Sequence, residues 1–218
     1  MESCSMERER EALVNSLVRR GYIVSANVEE AMRRVPREEF VLERLRRDAY
    51  VDTPLPIGVG QTISAPHMVA IMAEKLDLEP GHKVLEIGSG SGYHAAVVAE
   101  MVAPGGHVYT IERIEPLASF AEENLKRTGY KDSVTVIMGD GSKGLKEHAP
   151  FDRIFVACSA PDVPAPLTEQ LADGGKMLVP VGGRMYQDLI CVERRGSRYL
   201  KKSHGGCVFV PLIGEFGY

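Results

Sequence analysis

The segment Val84-Leu-Glu-Ile-Gly-Ser-Gly-Ser-Gly-Tyr93 constrains this chain more than any other. A short apolar run ends in three alternate glycines and leads into Tyr93 to Met101, where apolar residues dominate a stretch of helical length. Glycine lets the backbone turn sharply and lets a ligand approach it closely, so the segment reads as strand, ligand-binding turn and helix. The same texture continues downstream. Apolar runs at Val84 to Ile87, Val108 to Ile111, Val134 to Met138, Ile154 to Ala157 and Met177 to Val181 alternate with helical segments at about Tyr93 to Met101, Pro116 to Arg127 and Pro166 to Ala172. That alternation predicts an α/β fold with a doubly wound, Rossmann-like and mostly parallel sheet. Gln187 to Arg194 and Arg198 to Lys202 flank the turn Arg195-Gly-Ser197 and predict antiparallel strands at the C-terminal end. Cys207 to Leu212 is a further strand candidate.

Ahead of this core, apolar residues recur at helical spacing from Glu7 to Val41, with Gly21 and Pro36 as punctuation, which predicts two amphipathic helices. Arg33, Arg34, Arg37, Glu38 and Glu39 mix both signs and read as a solvated face. Thr53 to His67 carries two early prolines and two glycines, so it reads as an extended loop, with Ser64 as N-cap of a helix running to about Leu76. Repeats and flexible linkers are absent, and the 218 residues read as a single domain: 1–76 as N-terminal helices and an extended loop, 77–218 as the α/β core and C-terminal strands.

Lys plus Arg number 26 against 30 for Asp plus Glu, a net charge of −4, which gives binding to nucleic acid no global electrostatic support. No apolar run approaches the ~18 residues of a membrane span, and the polar start Met1 to Arg8 is unlike a secretion signal, so a cytoplasmic protein is expected. Cys4, Cys158, Cys191 and Cys207 stand far apart without metal-ligand spacing; reduced cysteines and no metal are expected.

The glycine spacing is G-x-G-x-G, and the third position of a dinucleotide fingerprint falls on Tyr93, where close packing favours a small residue. Glu86 stands two residues before Gly88, beside a ligand that it would repel if that ligand were a pyrophosphate and attract if it were a cation. The sulfonium and amino group of S-adenosylmethionine suit it better than NAD. Glu112 follows Gly92 by 20 residues, the interval at which an acid reaches ribose hydroxyls, and Asp140 of Gly139-Asp-Gly141 ends the third strand, within reach of an adenine amino group. Taken singly, Glu112-Arg113 also reads as a solvated pair and Gly139 to Gly141 as a plain turn.

Together with Ala49-Tyr50, Asp52, Pro54-Leu-Pro-Ile-Gly58, Gly60-Gln-Thr-Ile-Ser-Ala-Pro-His-Met68, Phe151 to Ala160, Leu171 to Gly182 and Val208-Phe-Val-Pro-Leu212, these residues resemble the class I S-adenosylmethionine-dependent methyltransferases. Within them the chain is similar to the protein-L-isoaspartate (D-aspartate) O-methyltransferases over nearly its whole length after about residue 7. Val51, Thr53, His94 and the segment around Cys158 depart from that pattern.

The resemblance implies a monomeric repair enzyme. It would methylate the carboxylate of L-isoaspartyl residues in proteins and peptides, with D-aspartyl residues as a second candidate, and release S-adenosylhomocysteine. It implies Ser64 as the active-site serine, assisted by Thr62. The cofactor set is then Glu86, Gly88, Ser89, Gly90, Gly92, Glu112, Arg113, Asp140 and Gly141. Pro56, Ile57 and Gly58, with Val208, Phe209 and Val210, would hold the substrate peptide as an extended strand. Three rivals stay open on the residues alone: a methyltransferase of the same fold acting on a small molecule or RNA, an NAD-dependent oxidoreductase, and a non-catalytic protein that keeps the cofactor pocket.

Overall fold

The computed structural model describes the backbone of residues 2–218 and the side chains of residues 5–218, so Cys4 lies outside the described side chains. The chain runs α1 (Glu2–Arg19), α2 (Ala26–Arg34), β1 (Leu55–Gly58), β2 (Gln61–Ile63), α3 (Pro66–Leu76), β3 (Lys83–Ile87), α4 (Tyr93–Val102), β4 (His107–Glu112), α5 (Glu115–Arg127), β5 (Val134–Met138), β6 (Phe151–Val156), α6 (Ala165–Glu169), β7 (Leu171–Gly182), β8 (Gln187–Arg195) and β9 (Arg198–Cys207). Seven strands form one sheet in the order β5-β4-β3-β6-β7-β8-β9. β3 to β7 pair in parallel, while β8 and β9 add antiparallel.

Strand alternation sorts the core into two layers. Val84, Val108, Phe155 and Leu178 pack with α1 to α4 on one face. Leu85, Ile87, Ile154, Met177 and Val179 pack with Leu167 of α6 on the other. Both faces are covered at the centre of the sheet, so β3, the second half of β6 and the stretch Met177 to Val181 of β7 are nearly continuous in apolar residues, the pattern that made these strands readable. The strand order reverses between β3, which is followed by its neighbour β4, and β6, which lies on the far side of β3. Open α/β sheets form their ligand crevice at such a reversal, outside the carboxyl ends of the strands.

Five local expectations are corrected. The stretch from Thr53 contains the antiparallel hairpin of β1 and β2, whose tip Gly58-Val59-Gly60 has positive φ throughout, including +43° at the exposed Val59. Two prolines did not prevent pairing, because a two-stranded ribbon leaves half of its backbone donors free. The helix expected from Pro166 to Ala172 ends at Glu169, and β7 begins at Leu171 because Leu171 pairs with Phe151. Cys207 closes β9 opposite Gln187, and residues 208–212 form no strand of their own, meeting the sheet through a parallel bridge from Pro211 to Ser159. Arg37 and Glu38 are buried, at 0% and 9% exposure, rather than part of a solvated face.

The N-cap of α3 is Ala65, not Ser64, and Ala65 has no side-chain oxygen to cap with. Asp52 replaces that function from across the loop. Its Oδ1 accepts the His67 backbone N–H at 2.9 Å and contacts His67 Nδ1 at 2.8 Å, while Oδ2 pairs with Arg20 at 2.8 Å. Burial raises the Asp52 carboxyl, but the two His67 bonds and Arg20 outweigh it and hold the group below its ordinary range. The Ser64 hydroxyl is therefore not consumed as a cap.

Candidate active site

A cavity of about 940 Å³ opens at the strand-order reversal. Its floor is the end of β3 and the glycine turn, its walls are the ends of β4 and β6, and its cover is formed by Gln61 to Ser64 and Val210 to Ile213.

The glycine turn is held at three points. Gly88 N–H donates to Ile111 O at 2.8 Å, Gly92 N–H to Ser89 O at 2.8 Å, and Gly90 N–H to the Glu112 carboxylate at 3.1 Å. Gly88, Gly90 and Gly92 have φ of +94°, +54° and +85°, a region in which a side chain is strained. Gly92 is the N-cap of α4 and packs on α5, where an added Cβ would stand 3.1 Å from Leu125 Cγ; it shapes the turn without lining the cavity.

Glu86 is fully buried. Its Oε2 accepts from the Thr110 hydroxyl at 2.6 Å, and Ser89 Oγ lies 2.7 Å from Thr110 Oγ1. Its Oε1 has no hydrogen-bond partner among the described residues. Burial pushes this carboxyl up to about 8, with the charge of Glu112 adding and the Thr110 bond opposing. A buried carboxylate oxygen left without a donor at the edge of a cavity is an acceptor awaiting a ligand. Glu112 Oε1 accepts the N–H groups of Arg113 and Ile114 at 2.9 and 3.0 Å, so this one carboxylate joins the glycine turn to the start of α5.

The structure brings Thr62, Ser64, Glu86, Gly88, Ser89, Gly90, Glu112, Arg113, Gly141 and Val210 to this one cavity. Asp140 is not among the residues that line it. Its carboxylate accepts from Ser142 N–H at 3.0 Å, Ser142 Oγ at 2.6 Å and Glu215 N–H at 2.9 Å. Burial disfavours its charge, yet those bonds hold the carboxyl below its ordinary range. Asp140 thus latches the C-terminal segment beside the cavity, and Gly141 lines the wall in its place, with no room for a Cβ, which would stand 2.5 Å from Ile87 Cγ2.

The peptide-contact set divides. Ile57 is buried, with Cδ1 3.4 Å from where a Gly90 side chain would begin, while Pro56 and Gly58 are exposed on the hairpin. Val208 is 71% exposed, and Phe209 turns inward with its N–H on Gln187 Oε1 at 2.8 Å. Both segments flank the cavity mouth that Gln61 to Ser64 and Val210 to Ile213 line.

Sequence reasoning did not assign Tyr93, His94 or Cys158, all of which line the cavity. His94 is buried, neither ring nitrogen has a partner among the described residues, its ring centroid lies 4.4 Å from that of Phe155, and burial pushes it down to about 3, so it is neutral. Burial, then the charges of Glu112 and Glu86, push the Cys158 thiol up, so it stays protonated. The helical position of His94 directly after the glycine turn was the available signal.

The sequence profile of the family described as Protein-L-isoaspartate(D-aspartate) O-methyltransferase (PCMT) matches residues 8–217. A protein of Methanopyrus kandleri named protein-L-isoaspartate O-methyltransferase is 62% identical over 212 residues, covering 97% of this chain and 94% of its own length. A protein of the same name from Hyperthermus butylicus is 59% identical, covering 96% of this chain and 90% of its own. A Plasmodium falciparum structure, described as a protein-L-isoaspartate O-methyltransferase in complex with S-adenosyl-L-homocysteine, superposes with a TM-score of 0.84 at 31% identity over 94% of this chain and 98% of the other. The fold, the cavity at its strand-order reversal and these matches agree, and the chain belongs to the protein-L-isoaspartate O-methyltransferase family.

Proposed function

We infer that this chain moves the methyl group of S-adenosylmethionine to the free carboxylate of L-isoaspartyl residues in damaged proteins and peptides. The ester then collapses through a succinimide toward normal aspartate. D-aspartyl residues are a further substrate in this reading. The observation that carries it is the meeting, in one cavity, of a buried carboxylate oxygen on Glu86, unpartnered among the described residues, with Ser64 and Thr62.

When bound, S-adenosylmethionine supplies an electrophilic methyl group on a positively charged sulfur. The protein's part is binding and alignment. Glu86 Oε1 receives the ligand's cationic end, and Glu112 accepts from ribose hydroxyls with the lone-pair capacity that Gly90, Arg113 and Ile114 leave free. Gly88, Ser89 and Gly90 let the ligand lie against the backbone, and Gly141 does the same at the adenine end, where Asp140 holds the wall.

The substrate carboxylate, with an ordinary pKa near about 4, is ionised at neutral pH and needs no general base. Ser64 would donate its hydroxyl to that carboxylate, assisted by Thr62, and would orient one oxygen toward the methyl group. The protonated Cys158 thiol does not compete as a nucleophile. Pro56 to Gly58 and Val208 to Val210 hold the peptide on either side of the mouth.

The reading extends to a monomeric, single-domain enzyme of the cytoplasm that does not bind nucleic acid. The net charge of −4 supports the last point, and no helix among the described residues is long and apolar enough to cross a membrane.

The test is transfer of labelled methyl from S-adenosylmethionine to paired peptides that differ only in an isoaspartyl or a normal aspartyl linkage. Base-labile label on the isoaspartyl peptide alone is expected. Equal labelling of both peptides would overturn the reading.

Glu86 also sets a pH dependence. With its carboxyl raised to about 8, the ligand-free protein carries this proton at pH 7, and pairing with a cation expels it. Calorimetry in two buffers of different ionisation enthalpy should then find about one proton released per bound S-adenosylmethionine near pH 7, a release that Glu86→Gln abolishes. In the ligand-free state the sign is the opposite. Between the ordinary 4.5 and about 8 the folded state holds more protons than the unfolded one, so stability falls as pH rises. Glu86→Gln should therefore melt higher than the parent at pH 9. Equal proton release in parent and variant would remove Glu86 from the cation site.

A further inference from the structure

Arg37 is a cation in the protein interior whose hydrogen-bond acceptors are main-chain carbonyls. Its Nε donates to Ala49 O at 2.8 Å and its Nη2 to Ser64 O at 2.8 Å. The guanidinium carbon lies 4.8 Å from the centroid of the Tyr93 ring, and Tyr93 both begins α4 and lines the cavity. One planar group thus touches the serine loop and the first residue after the glycine turn. Burying a guanidinium without a carboxylate partner is costly, and packed apolar residues would usually serve stability as well. What an apolar residue could not do is hold the Ser64 carbonyl.

The second hold lies three residues on. Asp52 fixes the His67 N–H at 2.9 Å, so the chain from Ser64 to His67 is tied at both ends by charged groups outside the cavity. Neither Arg37 nor Asp52 lines the cavity, and neither uses the Ser64 hydroxyl. With the carbonyl of Ser64 fixed and the start of α3 fixed, the direction of the Ser64 Cα–Cβ bond follows.

We propose that Arg37 and Asp52 are positioning residues for the methyl transfer, a two-point clamp that aims the Ser64 hydroxyl at the reacting carboxylate; this rests on the role given to Ser64 above. Arg37 also relates the serine loop to the helix that carries the cofactor turn, through Tyr93. Lysine at position 37 keeps the charge over Tyr93 but lacks the planar fork that reaches two carbonyls at once.

The experiment is a pair of double-mutant cycles on the full chain. Arg37→Lys and Asp52→Asn are each made alone and with Ser64→Ala, and kcat, KM for an isoaspartyl peptide and the calorimetric Kd for S-adenosylhomocysteine are measured. Each single substitution should lower kcat about tenfold, because small misplacements of a reacting group are expensive, while Kd stays within about twofold. In the Ser64→Ala background the same substitutions should change kcat less than about twofold, the signature of groups that act through one residue.

Equal losses in both backgrounds, an unchanged kcat, or a Kd that weakens in step with kcat would overturn the clamp. If Arg37→Lys fails to fold, the partly buried Asp52 carries the cycle alone. If Ser64→Ala by itself leaves kcat unchanged, the role of Ser64 falls, and the clamp with it. That outcome is distinct from one in which Ser64 matters and its neighbours do not.

Discussion

Replacing Ser64 by alanine should lower kcat on an isoaspartyl peptide about 10²-fold, the scale set by removing one preorganised hydrogen-bond donor from a reacting oxygen. The Kd for S-adenosylhomocysteine should stay within about twofold, because the proposed role gives the Ser64 hydroxyl to the acceptor carboxylate and not to the nucleoside. Thermal stability separates this role from a structural one. Loss of a serine N-cap costs about 1 kcal/mol, enough to lower the melting temperature by a few degrees. Here the cap position is Ala65, and Asp52 supplies the acceptor for the His67 N–H, so Ser64→Ala should leave the melting temperature essentially unmoved. A variant that melts lower with kcat intact would make Ser64 a structural residue and return the catalytic assignment to Thr62.

The second large effect is expected at Glu112. Its carboxylate accepts from Gly90, Arg113 and Ile114, joining the glycine turn to the N-terminus of α5 before any ligand arrives. Hydrogen bonds to a charged acceptor contribute about 1.5–3 kcal/mol each. Glu112→Ala removes the acceptor proposed for the ribose hydroxyls and loosens the glycine turn, so the Kd for S-adenosylhomocysteine should rise at least about 10²-fold. The melting temperature should fall as well, since three backbone N–H groups lose their acceptor. Glu112→Gln keeps one carbonyl oxygen and should fall between parent and alanine in both measurements. Calorimetry and a thermal melt on the three proteins decide it; an unchanged Kd would refute the ribose assignment.

The part of the site that was legible in the sequence is the part built by local rules. Glu86 and Glu112 stand near the carboxyl ends of parallel strands, and strand alternation turns both toward the face packed by α4. Three glycines with positive φ leave few alternatives for the turn between β3 and α4. Arg37 was illegible for the opposite reason. A charged residue among charged neighbours reads as surface, and the groups that bury it come from positions 12 and 27 residues later. Asp140 was read as a ligand contact because its most unexpected partner, the Glu215 N–H, lies 75 residues away.

Sequence alone determined the layered α/β architecture, the position of the ligand turn and the family, because each follows from short-range periodicity, glycine geometry and motif order. The strands at the centre of the sheet could be read from the chain because both of its faces are buried there and the strands are therefore nearly continuous in apolar residues. The tertiary structure alone decided which polar groups are already occupied. It gave the Asp140 carboxylate to the C-terminal segment, put Asp52 in the role expected of Ser64, and left Glu86 Oε1 without a partner among the described residues. A hydrogen bond is a matter of distance in space. Sequence separation carries no information about it beyond a turn or two, and the freedom of the Ser64 hydroxyl, on which the proposed transfer depends, is a property of the folded chain.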